Sequence, residues 1–300
     1  MTFRQFFRRG LARGLAGALL LATLAVPAGA RGTSSVWVMK GTKNTVYLAG
    51  SVHALPKEHS ELPPQLERAY AAARFVVMEV DLDDMDPLEA VQFVTSRGTL
   101  PEGETLEDVI GAAGYAKVVK LAGSLEVPEI VISKLEPWAA AMVLTQFALT
   151  KTGYDPQLGI DMQLVGRARA DGKRVDGLET VVDQLGIFDA RSLDEQKKFL
   201  LESAEDAPKL DDDLHRLIVA WRAGDLKALE TELNKERAST PGLYDELLGE
   251  RNRKWLPKIE ALLAQDQDVL VVVGALHFVG HDGLLELLSK DGHKPVPLKQ

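Results

Sequence analysis

Two stretches of the chain share one succession of apolar and polar positions. Val46-Tyr47-Leu48-Ala49-Gly50-Ser51-Val52-His53 and Val271-Val272-Val273-Gly274-Ala275-Leu276-His277 each run from apolar, partly β-branched residues into Gly-x-x-His. The runs are too short for helices and predict buried strands. The glycine is predicted to end each strand, because it tolerates backbone angles that other residues resist. Each histidine then stands just past its strand, at the carboxyl edge of a sheet, where α/β folds bind ligands. Two unrelated histidines, each closing a strand and bonding locally, give the same pattern. Only folding brings the two together.

Around these stretches the pattern changes period along the chain. Residues 35–39 and 46–49 predict two strands about a turn at Gly41-Thr42-Lys43-Asn44. Pro63 and Pro64 open a helix that runs to about residue 73. Residues 75–81 predict another buried strand, which holds Glu79. A carboxylate within an apolar strand is costly unless it is paired or coordinates something. Pairing with Arg74, or exposure at the strand end, satisfies Glu79 as well as a functional role does. Residues 86–97 read as a helix, and Thr105-Leu106-Glu107-Asp108 as a helix start. Helical pattern continues to about residue 152, broken at Gly123, Pro128 and Pro137. Within it Trp138, Met142 and Phe147 fall at helical spacing and are assigned to the core.

Gly159-Ile160-Asp161 opens a further helix, and a short strand at 174–177 runs into Glu179. Glu179 is equally well placed as a first-turn acid of the next helix. Residues 193–263 read mostly as amphipathic helix, with the acidic cluster at 202–213 as a solvated face and His215 as surface or packing. Arg251 lies in the last of these helices together with Trp255, either pairing a carboxylate, holding an anionic centre, or forming a plain surface pair. A strand at 269–273, a helix at 283–288 and a short edge strand at 295–297 close the chain. Gly274, Gly280 and Gly283 flank His277 and His281 and argue for a loop rather than a helical metal-binding pair. His59 and His293 are set aside.

Composition narrows the chemistry. The 300 residues suit one large domain or two small ones. A formal net charge of −9 argues against nucleic acid as a partner. Without cysteine there is no thiol nucleophile, disulfide or Cys-ligated zinc, so any metal falls to His, Asp and Glu. Residues 1–14 carry Arg4, Arg8, Arg9 and Arg13 and no acid, residues 15–26 are apolar, and Pro27-Ala28-Gly29-Ala30 follows. This is the layout of a secretory signal. Residues 1–30 are therefore expected to be a leader cleaved near Ala30. That would leave a mature protein, 31–300, exported to the periplasm or the medium with no stable membrane anchor.

The motifs also carry a resemblance. Gly50-Ser51-Val52-His53-Ala54-Leu55-Pro56, Met78-Glu79-Val80-Asp81, Lys134-Leu135-Glu136-Pro137-Trp138, Gly159-Ile160-Asp161, Gly177-Leu178-Glu179-Thr180, Glu250-Arg251-Asn252 with Trp255, and Gly274-Ala275-Leu276-His277 stand in the order of the TraB/GumN family. That family takes in the TIKI-type proteases of animals, and the resemblance spans nearly all of the mature chain. A more distant similarity to erythromycin-esterase-like and ChaN-like proteins implies an α/β fold, with α+β as the alternative. The expected architecture is a central mixed sheet with surrounding helices and a helical insertion at about 86–158 that covers the site as a lid. The resemblance implies a hydrolase, peptidase-like, acting on a peptide or small ester. A divalent ion (zinc, manganese or cobalt) held by His53, Glu79 and His277 would leave a coordination position for water. Glu179 is then the candidate general base, and Arg251 the group that stabilises an oxyanion or orients a carboxylate. Asp161 is the candidate partner that fixes a histidine. Two other readings stay open. His53 itself, aided by Glu79, deprotonates water without a metal; or the protein captures a peptide, haem or metal and performs no chemistry.

Overall fold

A computed structural model describes residues 35–81 and 87–299. The expected leader at 1–30 lies outside the described residues. Strands β1 (Val36–Lys40) and β2 (Thr45–Ser51) form a hairpin, and α1 (Pro64–Ala72) leads into β3 (Phe75–Val80). Then α2 (Pro87–Arg97), α3 (Leu106–Ser124), α4 (Glu129–Ile132), α5 (Pro137–Lys151) and α6 (Ile160–Asp171) separate β3 from β4 (Val175–Glu179). Helices α7 (Val181–Asp189), α8 (Leu193–Asp206), α9 (Leu210–Ala223), α10 (Leu226–Ser239), α11 (Pro241–Tyr244) and α12 (Arg251–Leu262) precede β5 (Val269–Gly274). Helix α13 (Leu284–Lys290) and β6 (Val296–Pro297) follow.

The fold is α/β, built on a mixed six-stranded sheet in the order β4-β3-β5-β2-β1-β6. Strands β4, β3, β5 and β2 are parallel, and β1 and β6 add antiparallel at one edge. Period-two alternation sends successive side chains to opposite faces. Val269, Val271 and Val273 of β5 pack with Trp37, Trp255 and Ile259 on one face. Leu270 and Val272 pack with Met78, Leu164 and Trp221 on the other. Helices thus cover both faces, which is why the strand sequences are apolar without interruption. A separate core forms among the helices, where Leu106, Val118, Ile132, Leu144 and Leu200 meet. Trp138 is buried as expected, edge-on to Phe93 of α2, but Phe147 is 43 % exposed, because the apolar surface of α5 is not a single stripe.

The two glycines of the repeated pattern do not act through unusual backbone angles. Gly50 remains inside β2, and Gly274 is the last residue of β5 with φ −51° and ψ 139°. What each requires is space. A Cβ on Gly50 would meet Ala275 Cα at 3.2 Å.

Trp221 of α9 is fully buried, and its indole N–H donates to the Gly50 carbonyl at 2.7 Å. It pins the corner that carries His53. Trp221→Ala is expected to destabilise the protein by about 3–5 kcal/mol, seen as a lower denaturant midpoint with unchanged slope. No helix of the described residues is long and apolar enough to cross a membrane.

Candidate active site

The parallel register delivers the chemistry-bearing residues to one sheet edge. Ser51 of β2 is level with Gly274 of β5, and Val80 of β3 with Glu179 of β4. His53 follows β2, Glu79 is the penultimate residue of β3, Glu179 ends β4, and His277 follows β5. All four therefore stand at the carboxyl ends of the parallel strands, with β5 placed between β2 and β3.

The first corner is held by the start of α6. Ile160 N–H donates to the Val52 carbonyl at 3.0 Å. Gly159 has no room for a side chain, since a Cβ there would lie 2.1 Å from the His53 carbonyl oxygen. This close approach sets Asp161, in the first turn of α6, against both residues of the corner. Its Oδ2 lies 2.8 Å from His53 Nδ1 and its Oδ1 accepts from Ser51 Oγ at 2.9 Å. The acid holds a proton on Nδ1 and leaves Nε2 directed at Glu79, 3.8 Å from Oε1.

The second corner is held by α12. Asn252 Nδ2 donates to the carbonyls of His277, at 3.0 Å, and Asp282, at 2.7 Å. Its Oδ1 is therefore the atom that meets His277 Nδ1, at 2.7 Å, and Nδ1 carries the proton. His277 Nε2 is left as an acceptor, 3.8 Å from the same Glu79 Oε1, and the ring lies 4.5 Å from that of Trp255.

Between the corners sits a buried charge network. Glu79 Oε1 accepts from the Gly274 N–H at 2.7 Å, and Oε2 accepts from Gln184 Nε2 at 3.1 Å and from Arg251 Nη2. Arg251 follows a π-helical turn, Asp245–Glu250, an irregularity frequent at functional sites. Its Nε and Nη2 donate to Glu179 Oε1 at 2.9 and 2.7 Å, and its Nη1 reaches the Leu247 carbonyl at 2.9 Å and His277 Nε2 at 3.2 Å. All five guanidinium donors are thus engaged. Glu179 also accepts from Gln184 at 3.2 Å and from Trp255 Nε1 at 3.1 Å.

The network sets the protonation of its members. Asp161 raises the His53 pKa to about 9, against the opposing pull of burial. Its side chain is 65 % exposed, so solvent tempers that pull. Burial drives His277 down to about 3, although Glu79 opposes this. Burial also opposes the charge on Glu79, yet His277, His53, Arg251 and the Gly274 N–H together hold it at about 2. With His277 neutral near pH 7, the last three carry that lowering there.

The structure brings together every residue singled out for the site: His53, Glu79, Asp161, Glu179, Arg251 and His277. His281 instead pairs with Asp282 at 2.8 Å, His293 with Glu260 at 3.0 Å, and His59 faces His215. Sequence reasoning missed Gln184, in the first turn of α7 after Glu179, and the roles of Ser51 and Asn252. Only the position of Asn252 beside Arg251 on α12 hinted at the latter.

The donor set suits a divalent ion. Both imidazole Nε2 atoms lie 3.8 Å from one oxygen, Oε1, of Glu79, and a Cβ on Gly274 would stand 3.2 Å from His53 Nε2 and 3.3 Å from Glu79 Oε1. Both Nδ1–H groups are already held by acceptors, the arrangement that orients metal-binding histidines. Glu79 and Glu179 face the guanidinium of Arg251, and Asp161 faces His53, so the centre carries an excess of carboxylates over guanidinium groups. Among the described residues no three His, Asp or Glu stand at metal-bonding separations as a finished cage. The 3.8 Å spacings would have to close by several tenths of an ångström.

Four parallel strands that deliver two imidazoles and two carboxylates to one carboxyl edge, around a buried arginine, define the class: an α/β protein with an acid–imidazole centre at a strand crossover. The chain belongs to the TraB/PrgY/gumN family, whose family model matches residues 35–297. It is 24 % identical over 263 residues to the uncharacterized protein YbaP of Shigella flexneri, covering 86 % of this chain and 94 % of that one. It is 25 % identical over 242 residues to YbaP of Escherichia coli K12, covering 81 % and 87 %. No solved structure matches the chain.

Proposed function

We propose that the protein is a metal-dependent hydrolase, peptidase-like, acting on peptide or small ester bonds outside the cytoplasm. The observation that carries this reading is the approach of His53 Nε2 and His277 Nε2 to one oxygen of Glu79, at 3.8 Å each, with both remote ring nitrogens held by Asp161 and Asn252. His53, Glu79 and His277 would hold the ion, with Arg251 Nη1 giving up its 3.2 Å hydrogen bond to His277 Nε2. When bound, zinc, manganese or cobalt supplies Lewis acidity and lowers the pKa of water. The chain's own groups do the rest. Asp161 and Asn252 fix the imidazole tautomers. Arg251 is the counter-ion of Glu79. Glu179 had the pattern of a general base, but its oxygens are taken by Arg251, Gln184 and Trp255. Its part in this proposal is to hold Arg251 in place. The export part of the proposal rests on residues 1–30, and N-terminal sequencing of protein from its source tests cleavage near Ala30.

Metal analysis of the mature protein, beside His53→Ala and His277→Ala, tests the reading. One bound divalent ion is expected in the wild type and none in the variants. Hydrolysis of a peptide panel should vanish with chelator and return with metal. Asp161→Asn is expected to lower metal affinity and turnover about 10–100-fold with the fold intact, measured by calorimetric metal titration.

A second reading has one observation in its favour. Once deprotonated, above its raised pKa of about 9, the exposed His53 ring with Asp161 2.8 Å from its Nδ1 also has the geometry of a histidine that takes a proton from water unaided. Full hydrolysis by demetallated protein would establish that reading and reject the metal. Stoichiometric peptide capture with no turnover in either state would leave a binding protein.

A further inference from the structure

A groove of about 380 Å³ opens between α5, α8, α9 and α10. Much of its wall is apolar, with Leu144 of α5, Phe199 and Leu200 of α8, and Leu214 and Leu217 of α9. Two lining residues adjoin the acid–imidazole centre. Leu276 precedes His277, and the Leu247 carbonyl accepts from Arg251 Nη1 at 2.9 Å. Among the described residues, five carboxylates also line the groove and no Lys, Arg or His does. They are Glu202 and Asp206 of α8, Asp213 of α9, and Glu232 and Glu236 of α10. The acidic cluster at 202–213, read from the sequence as a solvated face, thus borders an apolar groove.

The cations that meet these acids do not line the groove. Lys209 pairs with Asp206 at 2.7 Å, Lys235 with Glu232 at 2.8 Å, and Arg216 with Asp213 and, at 3.4 Å, with Glu232. Their side chains are 67 %, 51 % and 44 % exposed, and ion pairs so open to solvent are weak. The acids stay undercompensated. Burial raises the Glu202 pKa although Lys198 stands 3.7 Å away and opposes it, and Asp206 adds to the rise. Burial also pushes the Tyr244 hydroxyl up, and Glu236 and Asp206 push it further. Tyr244 lines the groove, so a negative field extends into it. A positive charge entering an apolar space of this kind is attracted more strongly than in bulk water.

We propose that this groove binds a cationic amphipathic peptide. Apolar side chains of the peptide fill the space between α5, α8 and α9, and its Lys or Arg side chains meet the carboxylates of α8, α9 and α10. A neutral apolar chain would leave those carboxylates against apolar groups, and an anionic chain would be repelled. Delivery of the peptide to the centre for cleavage rests on the peptidase-like reading above; the binding itself does not.

The test is a fluorescence titration of chelator-treated wild-type protein with dansyl-Leu-Leu-Leu-Arg-Arg-amide, with recovery of intact probe verified. Its analogue with citrulline in place of both arginines has nearly the same shape without the charge. Saturable binding is expected, about tenfold tighter for the arginine probe at ~0.01 M salt. That advantage should shrink to about twofold or less at ~1 M salt, where screening acts within about 3 Å. The double variant Glu202→Gln, Glu236→Gln should cut the low-salt advantage to about two- to threefold and leave the citrulline probe nearly unaffected. Thr145 lines the groove from an exposed position on α5, so Thr145→Trp should fill space there and weaken both probes at least about tenfold. Both variants should keep a cooperative melting transition, and Thr145→Trp remains informative if the double variant does not fold. Absent binding, equal low-salt affinity for the two probes, or unchanged affinity in folded Thr145→Trp overturns the proposal. So does an undiminished arginine advantage in the folded double variant. Tighter binding of dodecylamine than of the arginine probe would make the occupant a cationic alkyl chain and overturn the peptide assignment. Failure of metal binding or of turnover changes none of these readouts, so the two hypotheses fail separately.

Discussion

Gly274→Ala is expected to abolish divalent-metal binding and hydrolysis while the fold stands. Gly274 has backbone angles open to any L-residue, so alanine brings no strain of its own. The added methyl would lie 3.2 Å from His53 Nε2, 3.3 Å from Glu79 Oε1 and 3.6 Å from His277 Cδ2. Those contacts are tight enough that the donors must give way rather than close in. Bonds of about 2.0–2.2 Å from nitrogen and oxygen to one ion need the opposite movement. Metal affinity should fall by at least about a hundredfold, some 2.7 kcal/mol, with a melting temperature within a few degrees of wild type. Gly50→Ala supplies the contrast, because its Cβ would press on the Ala275 backbone at 3.2 Å. That variant should lose stability first. Wild-type metal affinity in Gly274→Ala would remove the convergent-donor reading altogether.

Arg251→Met is expected to destabilise the metal-free protein by about 3–5 kcal/mol, the cost of leaving a buried ion pair without one partner. Arg251 is 6 % exposed and is the cation bonded to both Glu79 and Glu179. Methionine keeps much of the packed stem but leaves two buried carboxylates facing each other across Gln184. The guanidinium also lies 4.5 Å from the centre of the Trp255 ring, and methionine forfeits that cation–π attraction as well. Zinc or manganese should return part of the stability, since an ion held at Glu79 replaces the missing positive charge. Urea unfolding with and without metal reads both effects. A loss below about 1 kcal/mol, the level of an exposed pair, would show that Arg251 does not neutralise the centre.

Much of this centre is visible in single stretches of the chain. His53 and His277 each follow an apolar strand by a fixed step, and Glu79 lies inside one. Asp161 begins a helix after Gly159. Glu179 and Arg251 were each explicable without the other, as a helix-start acid and a surface base. Their direct pairing decides between those accounts, and no local pattern contains it. Gln184 gave no signal, because a glutamine on an ordinary helix face is unremarkable until both acids are seen beside it. The glycines were legible as positions but misjudged in cause. Their φ values are ordinary, and the space they leave for His53, Glu79 and Ala275 has no trace in the order of residues.

By itself the sequence determined the strands and helices, the two glycine-to-histidine corners and the acids at strand ends, because period, strand length and helix starts are local properties of neighbouring side chains. Tertiary structure alone decided that β5 lies between β2 and β3, so that both imidazoles meet one oxygen of Glu79. It also decided that Arg251 bridges the acids of β3 and β4. Strand order and the pairing of buried charges arise from how elements distant in the chain pack together. That packing is chosen by the whole core and not by any one segment.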